Sequence, residues 1–512
     1  MDIHFETTGC RLNQIESEGA ARLFTDLSFS VSLSPLSAKS EADESCLLCV
    51  INTCSVTQKA EQKDRRIIRL VLEKCPSACV VVTGCYAQLS RDFINSMDPR
   101  IAALPGLLKN RIQDVALALE EKRKAGGLKV TGLVDGKNPQ GADSESVAPQ
   151  EAGFDGNGEV FSPVEFARYL RESIFSRPSS NPSVSENAFA FSTDSFLNHS
   201  RASIKIQDGC NCACSYCTIH TARGKSISLD VQTIIDRVQS LEKAGLEEVV
   251  FTAVNIAQYR GSYKGDLLDF GHLLKLCLKN TEKIAFRISS LYPETIDDYF
   301  LEVIKDRRVR PHFHISVQSG SNSVLKNMRR AYSRERLIEV CNKLRESKEN
   351  PFIACDIITG FPGESQEDFD LSKLLVKECN FAWVHVFPFS PRPGTPAFSM
   401  TNQVPEGVRG ERAKKLLALA AENKKNYIEE CRGKVFPAVL ENVKKPVFYK
   451  NTDTLKVFHA VTENFLHTEL CLPLEKASSF RQGMTISVKI KEPLDEGVAK
   501  GGEIDCLAEF VE

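Results

Sequence analysis

No run of apolar residues in this chain approaches the roughly 20 needed to span a bilayer. The opening residues, MDIHFETTGC, also lack the basic start and apolar run of a secretory signal. No membrane is therefore expected among the partners, and the expected location is the cytoplasm. An excess of one charge is missing too. The chain has 65 Lys and Arg against 67 Asp and Glu, a net charge of −2, so nothing draws the whole surface toward nucleic acid. Any such binding must come from local basic stretches: Lys59, Lys63, Arg65, Arg66 and Arg69, or Lys326, Arg329, Arg330, Arg334 and Arg336. The plainer reading of both is a solvated helix face.

The chain is rich in cysteine, with 18 among 512 residues. A large protein in a reducing compartment has no need of a disulfide framework, so metal ligation becomes the leading explanation for some of them. Cys277, Cys341, Cys355, Cys379, Cys471 and Cys506 stand alone in apolar or mixed surroundings and read as small core residues. Composition is otherwise that of a globular protein, 42% apolar and 26% charged. The length exceeds what one core supports and predicts three folded units.

The pattern along the chain places them. Up to about residue 125, β-rich runs (IHFETT, CLLCVIN, CVVVT) alternate with helical stretches, which predicts parallel strands with crossover helices. Cys10, Cys54 and Cys85 each follow such a strand and so share its carboxyl edge, where open α/β sheets bind ligands. Residues 126–200 are rich in Gly, Ser, Asn, Pro and acids and read as a flexible insertion or linker, with a short helix around 162–175. Over 201–430 the alternation resumes, with strands near 204–207, 248–254, 284–289, 312–317, 352–358 and 382–388, which predicts a partial (β/α)6 barrel. Residues 431–512 turn β-rich, with VFPAVLEN, TLKVFHAV and MTISVKIK as strands of a small antiparallel β-barrel. The fold class is α/β.

The strongest motif is IKIQDGCNCACSYCTIHTARG, where Cys210, Cys214 and Cys217 follow the first barrel strand as Cys-x3-Cys-x2-Cys. Three thiolates on a tight loop can hold three irons of a [4Fe–4S] cube and leave the fourth open. The competing reading is a zinc site that uses Cys212 as a fourth thiolate, but so crowded a loop is an awkward chelate for one ion. Cys212 reads as a bystander.

With Tyr216 before its last cysteine, this triad resembles the radical SAM (S-adenosylmethionine) superfamily. Together with TGCRLNQIESE, NTCSVTQKA and VVTGCYAQ it is similar to the methylthiotransferases, over nearly the whole chain apart from the insertion. The resemblance implies a second [4Fe–4S] cluster on Cys10, Cys54 and Cys85, and S-adenosylmethionine as co-substrate. It also implies a central radical SAM barrel, a C-terminal TRAM domain that grips nucleic acid, and a low-potential electron donor such as flavodoxin or ferredoxin. One SAM would yield the radical that removes hydrogen from an unactivated carbon; a second would methylate sulfur held at the N-terminal cluster.

Other family stretches end predicted strands. Asn255 is the candidate cavity contact in FTAVNIAQY; Ser289, Ser290 and Gln318 resemble polar groups lining the cavity; Gly360, Gly363 and Glu364 resemble the loop beside SAM. GCRLNQIESE, NTCSVTQKAEQKDRR and RPHFHISVQSGSNSVLKNMRRAY look most like the type acting on N6-threonylcarbamoyladenosine in tRNA. Isopentenyladenosine in tRNA or an aspartate of a ribosomal protein are the family's other substrates, and a non-catalytic iron–sulfur redox sensor that binds RNA is the alternative of another class. Two departures from the family, Ile219-His220 ahead of Arg223-Gly224 and KSIS at 225–228, are expected to alter substrate contacts and leave cluster binding intact.

Overall fold

The computed structural model describes residues 2–125, 161–176, 188–189, 191, 201–441, 446–450, 452–494 and 504–511. They fall into two units, Met1–Thr193 with Thr221–Arg223, and Asp194–His220 with Gly224–Glu512.

The first unit is built on a parallel sheet in the order β2-β1-β3-β4-β5, with β1 Asp2–Thr7, β2 Ser30–Ser32, β3 Cys46–Thr53, β4 Cys79–Gly84 and β5 Ile101–Ala103. β3 and β4 are buried at every residue, which is why they read as continuous apolar runs. Side chains alternate between two cores. Ile3, Phe5, Leu48, Val50 and Val81 face one side; Cys49, Ile51, Val80 and Val82 face the other, under α2. Helices α1 (Arg11–Asp26) and α2 (Gln58–Lys74) follow β1 and β3, and the Thr57 hydroxyl caps α2 by accepting from the Ala60 N–H.

The helix expected around 162–175 is present as Pro163–Tyr169 running into a π-turn at Leu170–Ile174, with Ser162 as its cap. Its periodic face buries Phe166, Ala167, Leu170 and Ile174 in the first core, so this stretch belongs to the packed unit. Most of the remainder of 126–200 lies outside the described residues.

In the second unit six parallel strands stand side by side: Ala202–Asp208, Glu248–Ala253, Ala285–Ile288 continued by Ser290–Leu291, His312–Gln318, Phe352–Thr359 and Trp383–Pro388. This is the partial barrel that the alternation predicts. Five of its outer helices begin at Asp230, Asp269, Asp297, Ser333 and Ser365, each side chain accepting the N–H three residues on. The C-terminal strands close a second barrel in the order Val435–Glu441, Leu455–Thr462, His467–Pro473, Cys506–Val511, Thr485–Pro493. It is antiparallel except where the last strand of the chain returns beside His467–Pro473 in parallel, a Greek-key closure that sequence periodicity does not reveal.

The sequence predicts separate central and C-terminal units, yet the two barrels form one. The buried carboxylate of Glu248 accepts from Arg287 Nε at 2.7 Å and Arg310 Nε at 2.9 Å, with Arg201 at 3.7 Å. Arg287 continues to the Thr462 and Glu463 carbonyls, and Arg201 to Glu441 at 2.7 Å, so one carboxylate organises the seam between the barrels. Burial pushes the Glu248 carboxyl up, but Arg287, Arg201 and Arg310 outweigh it and hold the group at about 2. A depressed carboxylate adds stability above its unfolded pKa of about 4.3 and loses it as the pH falls toward 2. Glu248→Gln is therefore expected to cost about 3–5 kcal/mol, because it strands buried guanidinium groups. In urea unfolding its midpoint should fall at pH 7, and it should be less acid-sensitive between about pH 4.5 and 2 than the unchanged protein.

Candidate active site

In the first unit, β1, β3 and β4 run parallel, so Cys10, Cys54 and Cys85 leave the sheet at one carboxyl edge: Cys10 three residues beyond Thr7, Cys54 directly after Thr53 and Cys85 directly after Gly84. Gly9 has φ +88°, and a Cβ there would stand 2.6 Å from Cys54 Cβ and 2.9 Å from its Sγ. Only glycine lets the Cys10 loop lie this close to Cys54. Asp64 of α2 accepts from Thr8 Oγ1 at 2.6 Å and from the Cys54 N–H at 3.0 Å, while Asn13 Nδ2 donates to the Thr8 and Thr53 carbonyls. These bonds hold the first two loops together. Burial raises the Cys54 thiol to about 12, and the nearby Cys85 and Cys10 sulfurs push the same way. Burial also raises Cys85, against the pull of Arg223 and Lys109. Arg223 donates to Glu16 at 3.1 Å and to Asn13 Oδ1 at 2.6 Å. Such a trio favours thiolate only when a cation joins it.

In the second unit, Cys210, Cys214 and Cys217 occupy the loop after Ala202–Asp208. Gly209, at φ +71°, starts it, and a Cβ there would lie 2.0 Å from the Lys225 carbonyl oxygen. Ser215 pins the loop by donating from its N–H to the Met328 carbonyl and from its hydroxyl to that of Asn327. The Tyr216 ring meets Phe361 edge-on at 6.5 Å. The thiols are polarised unevenly. A hydrogen bond from Cys212 lowers Cys210 to about 6. Cys214 is also lowered to about 6, by Cys212 and then, against burial, by Arg330. Burial raises Cys217 to about 12.

Among the described residues, neither trio has three sulfurs all within 4.8 Å of one another, and no three of the four sulfurs in the 210–217 loop meet that condition. A tetrahedral zinc needs sulfurs about 3.8 Å apart, since its Zn–S bonds are about 2.3 Å long. The spread argues against one ion on the loop and fits a cube that takes each thiolate on a separate iron.

The remaining candidates separate by role. Asn255 is buried and points its Nδ2 at Cys212 Sγ (3.5 Å) and Cys210 Sγ (3.8 Å), so its amide serves the sulfurs. Ser289 lies at the break in the third barrel strand, and its buried Oγ has no hydrogen-bond partner, an orphan suited to a polar ligand. Ser290 is half-buried beside it. Gln318 ends its strand at φ +69°, a left-handed conformation that side chains rarely adopt. Gly360 and Gly363 form the loop after Phe352–Thr359. Glu364 is turned into that loop, accepting from the Gly360 N–H at 2.8 Å and Arg412 at 2.6 Å, so its carboxylate braces the loop.

Arg330 belongs to this site, although the sequence places it in a basic stretch. Its Nη1 is 3.3 Å from Cys214 Sγ, and its guanidinium lies 4.7 and 4.9 Å from the ring centres of Tyr292 and Tyr332. The pairing joins residues 116 apart in the chain, and only Tyr332, two residues on, hints at it. Arg334 and Arg336 are engaged with Glu378 and Glu339. Lys59, Lys63, Arg66 and Arg69 do form an exposed face of α2.

The radical SAM superfamily model matches residues 204–375, and that of the uncharacterized protein family UPF0004 matches residues 2–106. Barrel, triad and match together define a radical SAM enzyme. The chain is 41% identical to the threonylcarbamoyladenosine tRNA methylthiotransferase MtaB of Treponema pallidum (strain Nichols), over 91% of this chain and 93% of the relative. It is 30% identical to the MtaB of Bacillus subtilis (strain 168), covering 97% and 95%. To the tRNA-2-methylthio-N(6)-dimethylallyladenosine synthase of the same Treponema strain it is 27% identical, covering 86% and 88%. The chain belongs to the tRNA methylthiotransferase family. Its cofactors are S-adenosylmethionine and two [4Fe–4S] clusters.

Proposed function

We propose that this protein converts N6-threonylcarbamoyladenosine at position 37 of tRNA to its 2-methylthio derivative, in the cytoplasm, with electrons from a low-potential donor such as flavodoxin or ferredoxin. One observation carries the choice of substrate. Of two relatives from one organism that differ in the adenosine they modify, the chain is far more similar to the one named for threonylcarbamoyladenosine.

Cys10, Cys54 and Cys85 hold the N-terminal cluster; Cys210, Cys214 and Cys217 hold the barrel cluster. When bound, the clusters and S-adenosylmethionine supply the electron, the hydrogen-abstracting radical and the methylated sulfur needed to exchange an aromatic C–H for C–SCH3. The chain's own residues hold and shield. Arg330 and Asn255 hold the Cys214 and Cys210 sulfurs by charge-assisted and amide hydrogen bonds. Ser289 Oγ, with Ser290, Gln318, Gly360 and Gly363 at neighbouring strand ends, receives S-adenosylmethionine, and Glu364 keeps the glycine loop in shape. Functionally, residues 1–125 carry the N-terminal cluster, 126–200 link, 201–430 form the radical barrel and 431–512 bind RNA as a TRAM domain.

Deleting the gene should remove the 2-methylthio form of threonylcarbamoyladenosine from bulk tRNA, leaving the unmethylthiolated nucleoside in its place by mass spectrometry. Loss from isopentenyladenosine instead would overturn the substrate.

A further inference from the structure

The first unit holds another group of cysteines at the opposite end of its sheet. Cys46 opens β3, Cys49 lies three residues on, and Cys75 caps the end of α2. All three are buried, their sulfurs lie within 4.8 Å of one another, and Cys46 and Cys49 are 3.5 Å apart. Residues three apart in a regular strand point to opposite faces. Here the pairing of β1 with β3 slips: Asp2 stands opposite Cys46 and Ile3 opposite Leu48, leaving Leu47 without a partner. That bulge turns Cys46 to the face of Cys49, and both meet Cys75 in the core beneath α2.

Two neighbours complete the picture. His4 stands directly across from Cys49, buried, with Nε2 3.1 Å from Glu6 Oε1, and its ring lies outside the group of sulfurs. Arg100, paired with Asp98 at 3.1 Å, donates to the carbonyls of Leu72, Cys75 and Pro76 and so fixes the end of α2 that carries Cys75.

We propose that Cys46, Cys49 and Cys75 supply three of the ligands of one structural zinc ion. The sulfurs have the spacing of a single tetrahedral ion, about 3.8 Å for Zn–S bonds of about 2.3 Å, in contrast to the two cluster trios. Thiolate is the ligand that structural zinc sites favour, and three of them on one buried face leave one position for a further donor. A disulfide would join only two of the three sulfurs and leave the third unexplained. The ion would tie the start of β3 to the end of α2, the far ends of the two elements that present Cys54 and Asp64. It is independent of the proposed substrate.

The test uses the full-length, cluster-replete protein. Purified with zinc sulfate in the growth medium and freed of loosely bound metal, it should retain about one zinc per chain, with a zinc-edge X-ray absorption spectrum showing three sulfur ligands. Cys46→Ser/Cys75→Ser should lose the zinc and keep its iron and its formation of 5′-deoxyadenosine. Should that variant fail to fold, Cys49→Ser provides the second arm, expected to hold zinc with one sulfur fewer in its absorption spectrum. Absence of zinc from the unchanged protein, its retention in the double cysteine variant, or a Cys46–Cys75 disulfide by mass spectrometry would each overturn the proposal.

Discussion

Cys214→Ala protein, reconstituted without oxygen and given dithionite and S-adenosylmethionine, forms no 5′-deoxyadenosine, and its iron falls from about eight to about four per chain. The size of the effect follows from the site. Cys214 is buried, and among the triad its sulfur is the one that Arg330 contacts, at 3.3 Å. Without it two thiolates remain for a cluster that takes three, and a guanidinium between two tyrosines loses its anionic partner. The barrel should survive, since the loop is also held through Ser215 and Tyr216, so circular dichroism should change little. Undiminished 5′-deoxyadenosine from this variant would remove the enzyme reading.

The second large effect separates the two halves of the reaction. Replacing Cys10, Cys54 and Cys85 with alanine should also halve the iron, yet 5′-deoxyadenosine should still form while methylthiolated nucleoside disappears from the tRNA product. The trio and the triad belong to different compact units, so loss of one need not unfold the other. Cys54 and Cys85 sit in a buried edge already shaped by Asp64, Asn13 and Gly9, and alanine fits there without strain. Iron content unchanged in this variant would show that these thiols hold no cluster.

Much of the fold was legible because strands buried on both faces leave unbroken apolar runs, and because helix starts carry their own signals, as at Asp230, Asp269, Asp297, Ser333 and Ser365. The strands His467–Pro473 and Cys506–Val511 were not foreseen. Their pairing is long-range and closes a barrel, which no local period encodes. The union of the two barrels through Glu248 was equally hidden, since its partners Arg201, Arg287 and Arg310 are spread along the chain.

By itself the sequence determined which cysteines follow which strands, and therefore that two trios end up at carboxyl sheet edges, because strand order and residue spacing are local properties. Tertiary structure alone decided what surrounds them. Arg330 leaves an apparent basic patch for a sulfur, Glu364 braces its own loop through Gly360 and Arg412, and a one-residue bulge gathers Cys46, Cys49 and Cys75. The physical reason is common to all three. A side chain's partner is set by burial and by distances between segments far apart in the chain, and neither is written in the order of the residues.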